Sequence, residues 1–496
     1  MLLFDLIKNT NGKLICGINR EIDEFSVLAN NSKDKLFFAL KGKNDGNDFI
    51  NIALETGAVG VVVECKEYFK IKSLTELIVF LDGKIDVLLL KDTAVIVTGD
   101  VRKYYSDLSR KIFNYPDNSL VVIGVTGTNG KTTTTHIIRD MLSFYNKKVG
   151  LIGTNGYYFG GEKLGGGLTT PDSFDFYKVM SKMLKMGAEY IVTELSAHAL
   201  YLDKLYSLSL DVAAVTNLSR DHLDYFKTMN NYAAAKRKIL SMGAKTVVLN
   251  SEDEFCFALS KEVKNSVTYG LFLPSDVFAV NADYVKNGTR AYINAFDEVF
   301  PVMSPLYGEY NLYNLLCAIA VVYKLGFTKD LDKAVNYVKE VPGRFNTVRF
   351  GDVLVVIDYA HTPDGLEKVL KCVKSLDTDK IITVFGCGGD RDKGKRSLMG
   401  KVASMYSDEI VLTKDNSRME DPLNIINEII PGIDKAVKYT VEPDRKKAIQ
   451  IALERCEKGV VVIAGKGAEN YIEEKGAKIY FNDKETVLEL TQKNDT

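Results

Sequence analysis

Short runs of consecutive apolar, often β-branched residues recur along the chain, and segments of helical periodicity separate them. The runs VGVVVE (59–64), LVVIGVTG (120–127), YIVTEL (190–195), VAAVTNL (212–218), TVVLN (246–250), VLVVID (353–358), IITVFGC (381–387), EIVLTKD (409–415) and VVVIAGKG (460–467) predict strands buried on both faces, as in parallel sheets covered by helices. Gly-rich or polar turns follow many of them. In open α/β sheets ligands sit at the carboxyl ends of strands, so function is expected in those turns.

The segment VRKYYSDLSRKIFNYPDNS (101–119) predicts an amphipathic helix stopped by a Pro-Asp-Asn turn, which sets a first boundary near residue 100. A second boundary falls at Val341-Pro342-Gly343-Arg344. Three domains follow, 1–99, 100–342 and 343–496, which suits a length of 496 residues with 46% hydrophobic and 26% charged positions. The stretch 270–305 reads as a strand-like interruption of the middle domain with no legible purpose.

Charge and cysteine usage narrow the function classes. With 64 Lys and Arg against 65 Asp and Glu the net charge is −1, which leaves no general footprint for nucleic acid or an anionic membrane. The 7 cysteines are odd in number and never form C-x-x-C, so neither a disulfide framework nor a zinc site is suggested. No apolar run approaches a membrane span, and MLLFDLIKNTNGKLICG lacks a basic n-region. A cytoplasmic monomer that neither binds nucleic acid nor inserts into membranes is expected.

The run 120–126 leads into Gly127-Thr128-Asn129-Gly130-Lys131-Thr132-Thr133-Thr134 and then a helical HIIRDMLSFY. Glycines let backbone N–H groups close on phosphates at a helix N-terminus, Lys131 reaches the terminal phosphates and the Thr132 hydroxyl can hold Mg²⁺. Val125 stands where the full G-x-x-x-x-G-K-T pattern has glycine, so this is a shorter variant. Two strand ends nearby carry Glu194-Leu195-Ser196-Ala197-His198 and Asn217-Leu218-Ser219-Arg220-Asp221-His222-Leu223-Asp224, whose carboxylates and imidazoles suit Mg²⁺. Asp221 and Asp224 could equally be helix caps. Lys236, on the Ala-rich helix NYAAAKRKIL, would by pattern alone be a solvated lysine.

Taken together TGTNGKTTT, TTPD (169–172), ELSAHAL (194–200), TNLSRDHLDYF (216–226), YAAAK (232–236), GEYNLYNLLCAIA (308–320), VPGRF (341–345), DYAHTPDGL (358–366), GCGGDRDKGKR (386–396) and GKGAEN (465–470) resemble the Mur ligase family, most closely its MurE type. The resemblance implies an α/β protein of three domains: a small N-terminal UDP-binding domain, a central P-loop ATPase domain with a mostly parallel sheet, and a C-terminal dinucleotide-fold-like domain. It also implies a cytoplasmic ligase of peptidoglycan precursor synthesis. ATP would phosphorylate the D-Glu carboxyl of UDP-MurNAc-L-Ala-D-Glu, and an amino-acid amine would displace phosphate.

Site roles carry over residue by residue. Gly127, Thr128, Asn129, Gly130, Lys131, Thr132, Thr133, Asn311, Asn314 and Arg344 match ATP-binding positions, and Asp358 to His361 resemble positions that close over ATP. Thr132, Glu194, His222 and Lys236 match the Mg²⁺ site, with Lys236 carbamylated by CO₂ into a carboxylate-like ligand. Ser32, the loop FFALKGKNDGNDF (37–49), Thr169, Thr170, Ser196 and Lys204 match the UDP-MurNAc-dipeptide side. Lys204 replaces the family's arginine and Leu202 its glutamine, so nothing is carried to Leu202.

For the incoming amino acid, Arg391, Asp415, Asn416, Ser417, Arg418, Gly465 and Glu469 match the binding set, with Ser417 in place of proline and Ala468 in place of histidine. The cations at 418 and 391 favour meso-diaminopimelate, which has a second carboxylate, over L-lysine. An ion pair of Arg418 with Glu420 or Asp421 is the plain alternative for that arginine. A related amide ligase of the cyanophycin or folylpolyglutamate type and a non-ligating P-loop switch stand as rival readings.

Overall fold

The structure is a computed structural model that describes residues 1–492 apart from 43, 91, 286 and 287; those four positions include parts of the 37–49 loop and of the 270–305 stretch. Each apolar run named above forms a strand, and the strands collect into three successive sheets. The first has five strands in the order Gly12–Cys16, Ala94–Thr98, Gly60–Glu64, Leu36–Phe38, Phe25–Ser26. The helix Val101–Ile112 lays Val101, Tyr104, Tyr105 and Leu108 against this sheet, in one cluster with Phe38, Ile96 and Phe174.

The second sheet has 11 strands, and the phosphate-loop strand Val121–Thr126 lies inside it, between Tyr190–Glu194 and Val212–Val215, parallel to both. That placement follows from apolarity: Val122, Ile123 and Val125 are fully buried, which only an interior strand covered on both faces allows. The stretch 270–305 now has a structural account. Its strands Val277–Val285, Gly288–Ala295 and Glu298–Ser304 pair antiparallel with one another and extend one edge of the sheet. Helix Glu309–Lys324, apolar almost all round, fills the core against helix Lys131–Phe144.

The third sheet runs Asn346–Phe350, Val353–Asp358, Gly459–Ala464, Ile381–Phe385, Glu409–Leu412, Lys438–Val441, parallel except at the first pair. Its parallel strands therefore deliver the turns 359–361, 386–396, 413–418 and 465–469 to one edge. Among the described residues, no helix is long and apolar enough to cross a membrane.

Candidate functional site

A cavity of about 620 Å³ opens where the turns of the second and third sheets meet. Its floor is the phosphate loop. Gly127 (φ +147°) and Gly130 (φ +87°) take left-handed conformations with Thr216 and Asn314 pressed against them, so a side chain at either would be both strained and obstructed. Helix Lys131–Phe144 has Gly130 as its N-cap, with no side-chain cap and no acidic residue in its first turn. Its free N–H groups and positive dipole end face the cavity, which is a ready anion site.

Lys131 is half-buried and folds back to donate to the carbonyls of Gly127 (2.9 Å) and Thr128 (3.0 Å). Burial holds its ammonium below the usual lysine range. Glu194, fully buried at the end of its strand, accepts from the Thr132 hydroxyl (3.0 Å), the Thr154 hydroxyl (3.0 Å) and the Thr154 N–H (2.8 Å). A carboxylate and a hydroxyl 3.0 Å apart beside a phosphate loop are hard oxygen donors suited to Mg²⁺. Among the described residues no group of three or more His, Cys, Asp or Glu forms a metal cluster.

Lys236 lines the same cavity. Pattern alone makes it a solvated lysine, but it is 1% exposed, because Tyr232 and Ala235 of the same helix pack inward with Phe226. Its Nζ lies 4.6 Å from the Tyr232 ring centroid. Burial first, and then the Lys131 charge, push its pKa well below that of a free lysine, favouring a neutral amine.

His222 and Asp221 follow the strand Val212–Val215. Asp221 caps no helix, and neither does Asp224: the N-cap of Leu223–Phe226 is His222 itself, in a left-handed conformation (φ +56°). The buried Asp221 carboxylate instead accepts from the His222 N–H (2.8 Å) and lies 3.3 Å from His222 Nε2, 3.9 Å from His361 Nε2 and 4.0 Å from Lys395 Nζ. Those neighbours hold Asp221 below the carboxylate range despite burial, while burial drives His222 down to about 3 and His361 to about 4. His198 stacks edge-on to His222 at 4.9 Å, and His136 is interior, its Nδ1 donating to the Thr132 carbonyl (2.8 Å).

The C-terminal third closes the other side. Arg344 Nη2 donates to the Thr132 hydroxyl (2.9 Å), with its guanidinium 4.5 Å from the Tyr359 ring centroid. Asp364 Oδ2 accepts from Asn129 Nδ2 (2.6 Å), and Arg220 Nε lies 3.4 Å from Asp392. Asn314 lines the cavity and donates to Asn311 Oδ1 (3.1 Å), itself buried behind it and donating to the Tyr307 carbonyl (2.8 Å). Asp364 takes no role of its own from the sequence, because its partner Asn129 lies on a distant segment.

The remaining positions divide. Thr128, Asn129, Thr133, Thr169 and Ser196 line the same cavity. Thr170 is buried as a strap, donating to the Glu194 carbonyl (2.8 Å) and accepting from the Ser196 N–H (3.0 Å). Lys204 pairs with Asp172 (3.3 Å), and Ser32 is fully buried with its hydroxyl on the Leu28 carbonyl (2.9 Å).

The amino-acid set gathers at the edge of the third sheet. Asn416 Nδ2 donates to Glu469 Oε2 (2.9 Å), and Lys466, fully buried and unflagged by sequence reasoning, donates to the same oxygen (2.9 Å) and to Asn416 Oδ1 (3.2 Å). Gly465 abuts Asp415. Ser417 is buried with an unpaired hydroxyl, and Arg391 is exposed. Arg418 pairs with neither Glu420 nor Asp421. Glu420 belongs to Arg396 (2.9 Å) and Lys393 (3.4 Å), and the partner of Arg418 is Glu473 (3.4 Å).

Residues 125–322 match the Mur ligase middle domain, and residues 343–467 match the Mur ligase, glutamate ligase domain. A UDP-N-acetylmuramoyl-L-alanyl-D-glutamate–2,6-diaminopimelate ligase of Aquifex aeolicus is 39% identical, over 92% of this chain and 91% of its own. A ligase of the same description from Clostridium acetobutylicum is 38% identical over 99% of both chains. A solved structure described as a UDP-N-acetylmuramoyl-L-alanyl-D-glutamate–2,6-diaminopimelate ligase superposes with a TM-score of 0.65 at 31% identity, covering 96% of each chain.

Proposed function

The chain belongs to the Mur ligase family, and from that premise we propose that it joins meso-diaminopimelate to UDP-MurNAc-L-Ala-D-Glu at the expense of ATP. The observation that carries the reading is the single cavity in which a phosphate loop, a buried carboxylate and a lysine biased toward its neutral form face an arginine from the C-terminal third.

A carboxylate is a poor electrophile at neutral pH, so the D-Glu carboxylate oxygen first takes the γ-phosphoryl group from ATP and releases ADP. The amine of the incoming amino acid then attacks the acyl carbon, sheds a proton and expels phosphate, leaving an amide. The helix N-terminus at Gly130 and Lys131 would bear the phosphate charge, and Arg344 would meet the transferred group from the opposite wall. Thr132, Glu194, His222 and a carbamate on Lys236 would hold Mg²⁺, which neutralises phosphate charge when bound. The depressed pKa of Lys236 supports the modification, because only a neutral amine adds CO₂, losing a proton as the carbamate forms.

Asn416, Arg418, Gly465 and Glu469 would receive the far end of the amino acid, with Arg418 meeting the distal carboxylate. One observation favours L-lysine as a second reading: Arg418 already has a carboxylate beside it, that of Glu473. The domain division 1–99, 100–342 and 343–496 belongs to this proposal too, with ligands drawn from all three.

Phosphate release from ATP with Mg²⁺ and UDP-MurNAc-L-Ala-D-Glu, compared across meso-diaminopimelate, L-lysine and no amino acid, tests the reading. Stimulation by diaminopimelate with the tripeptide product mass is expected. Stimulation by lysine alone would keep the ligase and overturn its specificity, and no stimulation by either would overturn both.

A further inference from the structure

Beyond the Gly465–Glu469 turn the chain forms a two-stranded hairpin, Tyr471–Glu474 against Ala477–Tyr480. Main chain and charge both fasten it to the turn 415–418. The Glu473 N–H donates to Asn416 Oδ1 (2.9 Å), the Arg418 N–H donates to the Glu473 carbonyl (2.9 Å), and the Lys475 N–H donates to the Arg418 carbonyl (2.6 Å). Glu474 pairs with Lys414 at 3.0 Å, and Glu473 Oε2 lies 3.4 Å from Arg418 Nε.

The other edge of the arginine is also engaged, since Nη1 donates to the Gly389 carbonyl (2.8 Å). Arg418 sits at φ +52°, a left-handed backbone that directs its side chain along this path. Arg418 and Glu473 are partly open to solvent, with side chains 21% and 27% exposed, so an incoming ligand can reach the pair.

We infer that Glu473 is a specificity-determining residue, a built-in carboxylate that competes with the distal carboxylate of the incoming amino acid for Arg418. The inference rests on the ligase reading above. A far end that carries a carboxylate gains Arg418 only by sharing or displacing Glu473, whereas a far end that is a lone ammonium gains Glu473 as a partner. Glu469, another carboxylate of the amino-acid set, is differently placed: the buried Lys466 ammonium donates to its Oε2 and offsets its charge. Glu473 therefore sets how far the pocket leans from one amino acid to the other.

Glu473→Gln keeps the shape and the main-chain bonds of the hairpin and removes only the charge. With ATP and UDP-MurNAc-L-Ala-D-Glu saturating, KM for meso-diaminopimelate should fall about two- to fivefold and KM for L-lysine should rise. In an Arg418→Ala background the same substitution should no longer lower the diaminopimelate KM. Equal changes for both amino acids, no change for either, or the same effect with and without Arg418 would each overturn the inference. If the unsubstituted protein is active while the ratio stays fixed, only the role of Glu473 falls; if it ligates neither amino acid, the ligase reading fails and takes this inference with it.

Discussion

At the phosphate end of the cleft, the strand Val121–Thr126 passes straight into the helix Lys131–Phe144, so the loop, the lysine and the threonine are neighbours in sequence as well as in space. At the amino-acid end, the groups come from separate strand ends at 386–391, 413–418 and 465–473, and are held by cross-links such as Lys466 to Glu469 and Arg418 to Glu473. The first region is prescribed locally by glycine conformation and helix polarity. The second exists only once the third sheet is assembled, which leaves it free to vary in charge without disturbing the phosphate machinery.

The sharpest way to break this contrast is at Lys236, sequence-local in position but tertiary in its burial. Lys236→Ala should lower product formation by about 10²- to 10³-fold, with ATP still bound and part of the rate restored by formate or acetate. Normal ligation by that variant would sink the carbamate reading.

Arg344 tests whether the phosphate end is complete without the C-terminal third. Because its Nη2 reaches the Thr132 hydroxyl at 2.9 Å, Arg344→Ala should reduce kcat by about 10²-fold, and lysine at that position should restore little of it. An unchanged kcat would mean that the central domain works alone.

Asp364 tests the junction itself. Asp364→Asn weakens the charge-assisted bond to Asn129 (2.6 Å) and the ion pair with Lys368 (2.9 Å), so KM for ATP should rise by about fivefold, equivalent to about 1 kcal/mol. No shift in KM would show that the contact does not contribute to closure.

The smallest effect concerns stability. Burial lowers the His136 pKa from its ordinary 6.5 to about 3. The unfolded chain therefore takes up this proton first, and the associated stability is present above about pH 6.5 and lost as pH falls toward 3. From this residue alone, unfolding free energy should drop by about 0.7 kcal/mol between pH 7 and pH 6. Denaturant titrations of His136→Gln should show that much less pH dependence, and an identical slope would mean the histidine titrates normally.

Much of the fold was legible in the sequence because strands buried on both faces advertise themselves as unbroken apolar runs; the run 460–467 became the strand Gly459–Ala464 and the run 353–358 became Val353–Asp358. The stretch 270–305 read only as a strand-like interruption, because edge strands carry a weaker pattern with one face in solvent. In the site, the phosphate loop could be read from residue order, whereas Lys236 looked solvated until resemblance raised it. Lys466 passed unnoticed, since a lysine between two glycines gives no sign of burial.

By itself the sequence determined what is local: which segments become strands, where glycine permits a phosphate loop, and which helix presents a bare N-terminus. Tertiary structure alone decided the electrostatics. Whether Lys236 is neutral, whether Asp221 faces two imidazoles and an ammonium, and whether Arg418 meets Glu473 or Glu420 all depend on charges brought together from distant segments. Those interactions act through space and through the solvent that packing excludes, and residue order encodes neither directly.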